Sequence, residues 1–278
     1  MRFEKWQALG NDYLIVERSE LPWELTPERI VALCHRNLGP GADGILLLEP
    51  SADASVASLR IFNPDGSEAA LSGNGAREAA MYLFHRGWTT DREFTITTAA
   101  GPVVPLIRDD RTCSMALGQA TTRSVDFPDG SEDGRGTVTV NGTTRSFQFV
   151  DVGNPQMAIH IPQGDDLEAL DLPSIGPSLE NDPRFPNRTN VSFWNSEGAS
   201  VRARIFERGV GETLSSGTGA SGAAIAAHLA GAPNRLNVNL DGGQLEVELD
   251  EQLNLTLTGW AIPLYSATLS DALEEELK

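Results

Sequence analysis

The 278-residue sequence predicts an α+β protein of two similar domains related by a pseudo-twofold axis. Two observations carry that prediction. The first is an internal repeat: RIFNPDGSEAALSGNGA at 60–76 returns as RIFERGVGETLSSGTGA at 204–220, in register and without a gap. Arg60, Ile61, Phe62, Glu68, Ser72, Gly73, Gly75 and Ala76 recur as Arg204, Ile205, Phe206, Glu212, Ser216, Gly217, Gly219 and Ala220, too many identities for two coincidental glycine-rich turns. The second is that helices alternate irregularly with strands in both halves. The spacing of the repeat fits domains over 1–118, completed by about 263–278, and 119–262.

The elements follow in order. FEKWQAL and YLIVE read as strands around a Gly10-Asn11-Asp12 turn. A helix is expected from Pro27 to Arg36, with Thr26 as N-cap and Pro27 in the first turn. The loop Gly39–Gly44 leads into the strand ILLLE, and VASLRIF is a strand ended by the turn Asn63-Pro64-Asp65-Gly66. A helix over Asn74–His85 precedes the short strands EFTITT, PVVPLI and TCSMAL. Asp126–Gly136 reads as a surface loop, and TVTV and TTRSFQFV as a hairpin about Asn141-Gly142. VSFWN and ASVRARIF are strands, Gly217–Ala230 is a helix of small residues, and RLNVNL, QLEVEL and NLTLT form a meander. WAIPLYSATL is a last strand returning to the first domain.

Composition narrows the function. A net charge of −18 argues against nucleic acid or an anionic membrane as partner. No apolar run approaches a membrane span and the start lacks a signal-peptide core, so the expected location is the cytoplasm. Cys34 and Cys113 each lie in an apolar stretch and read as buried thiols. His35, His85, His160 and His228 lack zinc-site spacing, so no metal is expected. Lys5 and Lys278 are the only lysines, and neither lies in a loop built for a cofactor, which argues against pyridoxal phosphate. No cofactor is expected at all. A homodimer is compatible with the sequence, which does not require one.

In each copy of S-G-x-G-A, a strand delivers the chain to a Ser-Gly turn in which a helix starts. The unpaired amides of a first helical turn and the positive end of its dipole attract an anion. Two such starts related by pseudo-symmetry make a cleft that grips one carboxylate from both sides, with a serine on each face of the bound atom. That suits a proton removed on one side and returned on the other. Gly217–Gly222 also spells G-x-G-x-x-G, with Asp241 at about the distance of a ribose-binding acid. The nucleotide-binding alternative is weak: VGETLSS separates the strand from the motif, GNGARE lacks the third glycine, and no other βαβ unit supports a parallel sheet.

Together ALGNDYLIVE, GPGADGILLLEPS, FNPDGSEAALSGNGAR, VGNP at 152–155, NRTNVSFW and ERGVGETLSSGTGA resemble the diaminopimelate epimerase family of cofactor-independent racemases and isomerases, over nearly the whole chain. The resemblance implies two pseudo-symmetric domains, each a mixed β-barrel-like sheet around a central helix. It implies that Asn11, Asn63, Asn154, Asn190 and Arg208, with Glu207, hold the distal amino-acid end of a small amino-acid-like carboxylate. The amides of Gly73-Asn74 and Gly217-Thr218 would bind the carboxylate at the reacting centre.

The chain departs from that pattern where protons move. The family's two catalytic cysteines correspond to Ser72 and Ser216, its histidine after GNP to Gln156, and a further cysteine to Glu78. A serine hydroxyl is a far weaker acid than a thiol and needs a partner base, for which Glu207 is the candidate. The favoured expectation is an isomerase that shifts a double bond in an amino-acid-derived acid, in secondary metabolism, where the migrating proton is already acidified by conjugation. A Cys-to-Ser variant of a diaminopimelate epimerase and a non-catalytic amino-acid-binding protein stay open.

Overall fold

The computed structural model describes every residue from Met1 to Lys278. The chain forms two compact units, one of Met1–Met115 with Gly259–Lys278, the other of Ala116–Thr258.

The first unit runs through β1 (Arg2–Ala8), β2 (Asn11–Glu17), α1 (Pro27–Cys34), β3 (Ile45–Pro50), β4 (Ala57–Phe62), β5 (Glu68–Ala69), α2 (Gly73–His85), β6 (Ile96–Thr98), β7 (Gly101–Val103) and β8 (Pro105–Ile107). The unit boundary falls inside β9 (Thr112–Gln119). The second unit holds β10 (Arg135–Val140), β11 (Thr143–Asp151), β12 (Pro155–His160), α3 (Leu172–Glu180), β13 (Asn190–Glu197), β14 (Ser200–Glu207), β15 (Gly211–Thr213), α4 (Gly217–Leu229), β16 (Arg235–Leu240), β17 (Gly243–Leu249) and most of β18 (Asn254–Trp260). The chain then re-enters the first unit with β19 (Ile262–Thr268), which pairs antiparallel with β1, and ends in α5 (Asp271–Glu276).

The repeat is one of topology as well as letters. In the first unit the strand order is β19-β1-β2-β3-β4-β6-β7, with β5 on β4. In the second it is β10-β11-β12-β13-β14-β16-β17-β18, with β15 on β14. The pairs β2·β3, β4·β6, β12·β13 and β14·β16 are parallel, and a helix bridges each one. This corrects the expectation that no βαβ unit supports parallel pairing: both sheets are mixed, with parallel pairing at every helical crossover.

The repeated letters now have physical reasons. Arg60 forks onto Glu68 across β4 and β5, with Nε and Nη2 at 2.9 and 2.8 Å from the carboxylate. Arg204 pairs with Glu212 across β14 and β15 at 2.5 Å. Ile61 and Ile205 point into the two cores, each 1% exposed. Phe62 joins the cluster that buries α1, and the Phe206 ring lies where a side chain on Gly176 of α3 would sit, 2.3 Å from it. Hence that helix needs a glycine in its middle.

Each unit wraps its sheet about one central helix. α2 packs on β1, β2, β3, β4, β8 and β19, and α4 on β11, β12, β13, β14, β16 and β17. A helix surrounded on all sides has no polar face to keep. Accordingly every residue of α4 from Gly219 to Ala227 is buried, and small side chains let the strands approach. Gly75 and Gly219 mark the tightest places. A Cβ there would stand 3.0 Å from Leu46 and 2.9 Å from Ile205, so the second glycine of each S-G-x-G packs the helix on its sheet rather than a ligand on the helix.

Two segments depart from expectation. α3, LPSIGPSLE, contains Gly176 and Pro177 and has the propensities of a loop. It forms because Asp171 caps it, accepting from the Ser174 amide at 3.3 Å, and because Leu172 and Leu179 enter the second core. The polar loop after Asp126 is pinned by buried Phe127, which stacks on Phe185 at 4.9 Å between ring centroids, with an interplanar angle of 10°. No helix is long and apolar enough to cross a membrane.

Candidate functional site

Ser72 and Ser216 occupy the same structural position. Each is an N-cap in extended conformation, φ −134° and −143°, and each accepts the amide of the third helical residue, Gly75 at 3.1 Å and Gly219 at 3.2 Å. Gly73 and Gly217 are therefore the first helical residues, with Asn74 and Thr218 next. In α4 the amides of Gly217 and Thr218 lie outside both the cap bond and the helical ladder, which starts with the Ala220 amide on the Ser216 carbonyl. A Cβ on Gly73 would meet nothing within 4 Å, so the first turn of α2 has open space beside it.

In the second unit the serine is paired with a carboxylate. Ser216 Oγ donates to Glu207 Oε2 at 2.8 Å and lies 3.5 Å from Thr218 Oγ1. Glu207 ends β14, directly after the RIF of the repeat. Burial pushes its carboxyl above the ordinary range, opposed by the hydroxyls of Thr213 and Ser216. Such a carboxyl holds its proton more readily than a surface glutamate, which is the tuning of a general base.

Beside this pair, Gln156 Nε2 donates to Asn154 Oδ1 at 2.6 Å, and Asn154 Nδ2 reaches Thr218 Oγ1 at 3.4 Å. Gln156 Oε1 is buried without a hydrogen-bond partner. Gly222 of α4 packs on its stem, with a Cβ there only 3.0 Å from Gln156 Cβ. Asn190 has its groups in use within the protein: Nδ2 donates to the Pro155 carbonyl at 3.0 Å, and Oδ1 accepts the Arg208 amide at 2.9 Å. It thereby fixes the backbone that carries Arg208. The Arg208 guanidinium makes no ion pair; Nη1 donates to the Asn187 carbonyl at 2.9 Å.

The first unit builds its version from different groups. Tyr13 donates its phenol to Ser72 Oγ at 3.2 Å. Asn74 Nδ2 donates to Asn11 Oδ1 at 3.3 Å, Asn11 Nδ2 donates to Asp43 at 3.1 Å, and Arg77 holds Asn74 Oδ1 at 2.5 Å. Asp43 and Asp12 are clamped by Arg36, and Asp12 also by Lys5 at 2.6 Å. Burial alone would raise Asp12; hydrogen bonds from Arg36 and Lys5 outweigh it and hold the carboxyl at about 2. Lys5 spends its ammonium on Asp12 and on the Gly41 carbonyl at 2.6 Å.

Superposing the repeats by sequence shows where the versions diverge. Asn11 and Asn154 each follow a glycine of positive φ, +85° and +91°, and each reaches the second residue of its unit's central helix. Two residues on, Tyr13 answers to Gln156. Asn63 answers to Glu207, yet it does not bond the N-cap serine Ser72; its Nδ2 bonds Ser67 Oγ at 2.9 Å inside its own turn. Tyr13, Asp43 and Thr213 are contributors that sequence reasoning passed over. The mapping of GND onto GNP could have found Tyr13.

Glu78 and Arg77 lie deeper in α2, 0% and 1% exposed. Burial drives the Glu78 carboxyl well above its usual value and lowers Arg77. Both Glu78 oxygens, with Nε and Nη1 of Arg77, lack hydrogen-bond partners. Cys34 and Cys113 are buried, free and distant in sequence from either serine, and burial pushes each thiol up to about 12.

Comparison with known proteins gives the family. The family model for diaminopimelate epimerase matches residues 3–123 and 148–261. A diaminopimelate epimerase of Synechococcus sp. (strain JA-3-3Ab) is 38% identical, over 98% of this chain and 99% of its own. The Nostoc sp. (strain PCC 7120) diaminopimelate epimerase 2 is 37% identical, over 97% and 96%. Among solved structures, a phenazine biosynthesis protein of Bacillus anthracis superposes with a TM-score of 0.67 at 17% identity, over 97% and 99% of the two chains. A hydroxyproline epimerase of Agrobacterium vitis does so at 0.65 and 17%, over 97% and 90%. These two share the fold. The chain belongs to the diaminopimelate epimerase family and is an isomerase.

Proposed function

We propose that this isomerase moves a proton within an amino-acid-derived carboxylic acid and shifts a double bond, rather than inverting the α-carbon of a saturated amino acid. The observation that carries the reading is the Glu207–Ser216 pair: a raised carboxyl and a hydroxyl stand where a thiol would be needed for a weakly acidic proton. Neither cysteine can substitute, since both are held protonated at neutral pH by burial. Carbon acids next to an extended conjugated system are acidic enough for a carboxylate base, whereas the α-proton of a free amino acid is far less so.

The binding groups support an amino-acid-like ligand. Arg208, with no carboxylate of its own, offers a fork for one on the substrate, and Asn154, Gln156 and Asn11 offer amides that donate and accept. The amides of Gly217-Thr218 would take the carboxylate next to the reacting carbon, where negative charge grows as the proton leaves. The test is a panel of unsaturated, amino-acid-derived acids incubated in D2O. Deuterium entering the carbon remote from the carboxylate, with migration of the double bond, is expected. A panel unchanged except for α-deuteration would sink the reading.

A second reading is favoured by the names of the relatives: the chain is a Cys-to-Ser variant of a diaminopimelate epimerase, with its acid–base pair disarmed. Ser72→Cys, Ser216→Cys and Gln156→His combined separate the two. The double-bond reading expects little diaminopimelate epimerisation from that variant, and robust epimerisation would establish the second.

A further inference from the structure

We infer that the second unit carries a further ligand site: a cavity at the C-terminal end of α4 that takes a small neutral phenol. The cavity has a volume of about 410 Å³, and its walls include Arg135, Gln148, Ala158, His160, Trp194 and Ala226. Ala226 lies near the end of α4, roughly 15 Å along the helix axis from Ser216, so a ligand there stands apart from the serine. The site is independent of which proton shift the isomerase performs.

The internal repeat shows what fits such a place. β2 and β12 align from Asn11 and Asn154, so Ile15 answers to Ala158 and Glu17 to His160. Ile15 pairs with Glu4, and Ala158 with Gln148, so Glu4 answers to Gln148. On the central helices, counted from Ser72 and Ser216, Tyr82 answers to Ala226 and Arg86 to Ala230. The first unit has a pocket of about 330 Å³ at this place, bordered by Glu4, Ile15, Glu17, Tyr82 and Arg86. Its polar groups are engaged with one another. The Tyr82 phenol donates to Glu17 Oε1 at 2.8 Å, and Trp88 Nε1 reaches the same oxygen at 3.3 Å. Arg86 forms an ion pair with Glu4, whose other oxygen accepts from Trp6 Nε1 at 2.8 Å.

The second unit keeps acceptors and drops these donors. Alanine at 226 and 230 removes the phenol and the guanidinium. His160 makes no hydrogen bond or ion pair and meets the Trp194 ring at 4.8 Å between centroids. Gln148 donates through Nε2 to the carbonyls of Asp133 at 2.6 Å and Phe149 at 3.0 Å, which leaves its Oε1 to accept. Trp194, 4% exposed, has a buried Nε1 without a partner. A phenol ring standing where Tyr82 stands in the first unit meets the aromatic walls of Trp194 and His160, and its hydroxyl finds an acceptor in the imidazole or the Gln148 oxygen.

Charge selects a neutral ligand. The carbonyl end of the α4 dipole disfavours an anion. Arg135, whose Nη2 donates to the Leu229 carbonyl at 3.3 Å, disfavours a cation. Burial, and then the neighbouring Arg145, lower the His160 value, so its imidazole is neutral at neutral pH and one ring nitrogen accepts.

The probe is p-cresol, the tyrosine side chain as a free molecule, titrated into the full chain while the indole N–H signals of the five tryptophans are followed by NMR. The Trp194 signal, identified by its loss in Trp194→Phe, should shift to saturation with a midpoint on the order of a millimolar. Toluene, p-toluate and p-methylbenzylammonium should each bind at least about tenfold more weakly, since each lacks the hydroxyl and two carry a charge. Ala226→Tyr places the phenol covalently where Tyr82 holds it in the first unit. It should fold with a melting temperature within about 5 °C of the parent and abolish the p-cresol response, whereas on a close-packed helix face it would be severely destabilising. His160→Phe keeps a ring and removes the acceptor, and should weaken p-cresol about tenfold. A Trp194 signal that p-cresol leaves unmoved, or that toluene or either charged analogue moves as readily, would overturn the inference. So would a response unchanged in both Ala226→Tyr and His160→Phe. Should Ala226→Tyr fail to fold, the analogue series and His160→Phe decide the matter.

Discussion

Glu207 ends β14 with its carboxyl turned onto Ser216, and burial there has a consequence in pH. As the proposed base it must be ionised, and its raised value places the acid limb of the rate profile above the pH at which a surface glutamate titrates. Turnover should rise with pH through that limb. Glu207→Gln should abolish the limb and lower turnover about 10²–10⁴-fold with little change in ligand affinity; an unaltered rate would remove Glu207 from the chemistry. Arg208→Ala should weaken binding of the authentic acid by about 2–4 kcal/mol, measured by calorimetry, because a desolvated carboxylate loses its forked partner. Residues at this scale were partly legible. Ser72 and Ser216 were marked by the repeat and by the resemblance together, and Glu207 by the resemblance and as the base a serine needs. Tyr13 was hidden because an aromatic in a strand reads as core, and the hydrogen bond to Ser72 gives its phenol a second role. Asn63, which the resemblance places at the ligand, also holds its own turn through the bond from its Nδ2 to Ser67.

The central helices are set by close packing at one end and by a buried carboxyl in the middle of α2. Gly219→Ala forces a methyl against Ile205 and should cost about 1–3 kcal/mol in denaturant unfolding. Gly73→Ala has open space and a helical position, and should stay within about 0.5 kcal/mol of the parent. If both alanines cost the same, the packing account of the second glycine fails. Glu78 makes a prediction with a definite sign. Its folded value lies above its unfolded one, so the folded state binds the extra proton and stability falls as pH rises from the ordinary glutamate range toward the folded value. Glu78→Gln removes the titration, and the melting temperature should then decline less between pH 5 and pH 8 than in the parent, by a margin of about a few degrees. An identical decline in both proteins would place the Glu78 proton elsewhere. The helices α1, α2 and α4 were readable because Thr26, Ser72 and Ser216 cap them and periodic small or apolar residues follow. α3 was not, because packing of Phe206 against Gly176 overrides the poor propensity of a segment holding glycine and proline.

Across the whole molecule, one supersecondary plan is used twice, and the chemistry differs between its copies. The doubling was visible as eight identities in register. The parallel pairing at every crossover was not, because short strands carry no sign of their partners' direction. A carboxylate beside the serine of one unit and a phenol beside the serine of the other are acid–base groups, and acid–base proton transfer needs no cofactor. Protein purified to homogeneity should therefore carry no stoichiometric flavin, nicotinamide, pyridoxal phosphate or metal, as judged by absorbance and elemental analysis. The most direct test of the double-bond shift is incubation of the unmodified protein in D2O, in parallel, with LL-diaminopimelate and with unsaturated amino-acid-derived acids, followed by NMR. The account predicts that diaminopimelate keeps its α-proton while an unsaturated acid gains deuterium at the carbon to which the proton migrates. Rapid α-deuteration of diaminopimelate, with every unsaturated acid left unchanged, would contradict it.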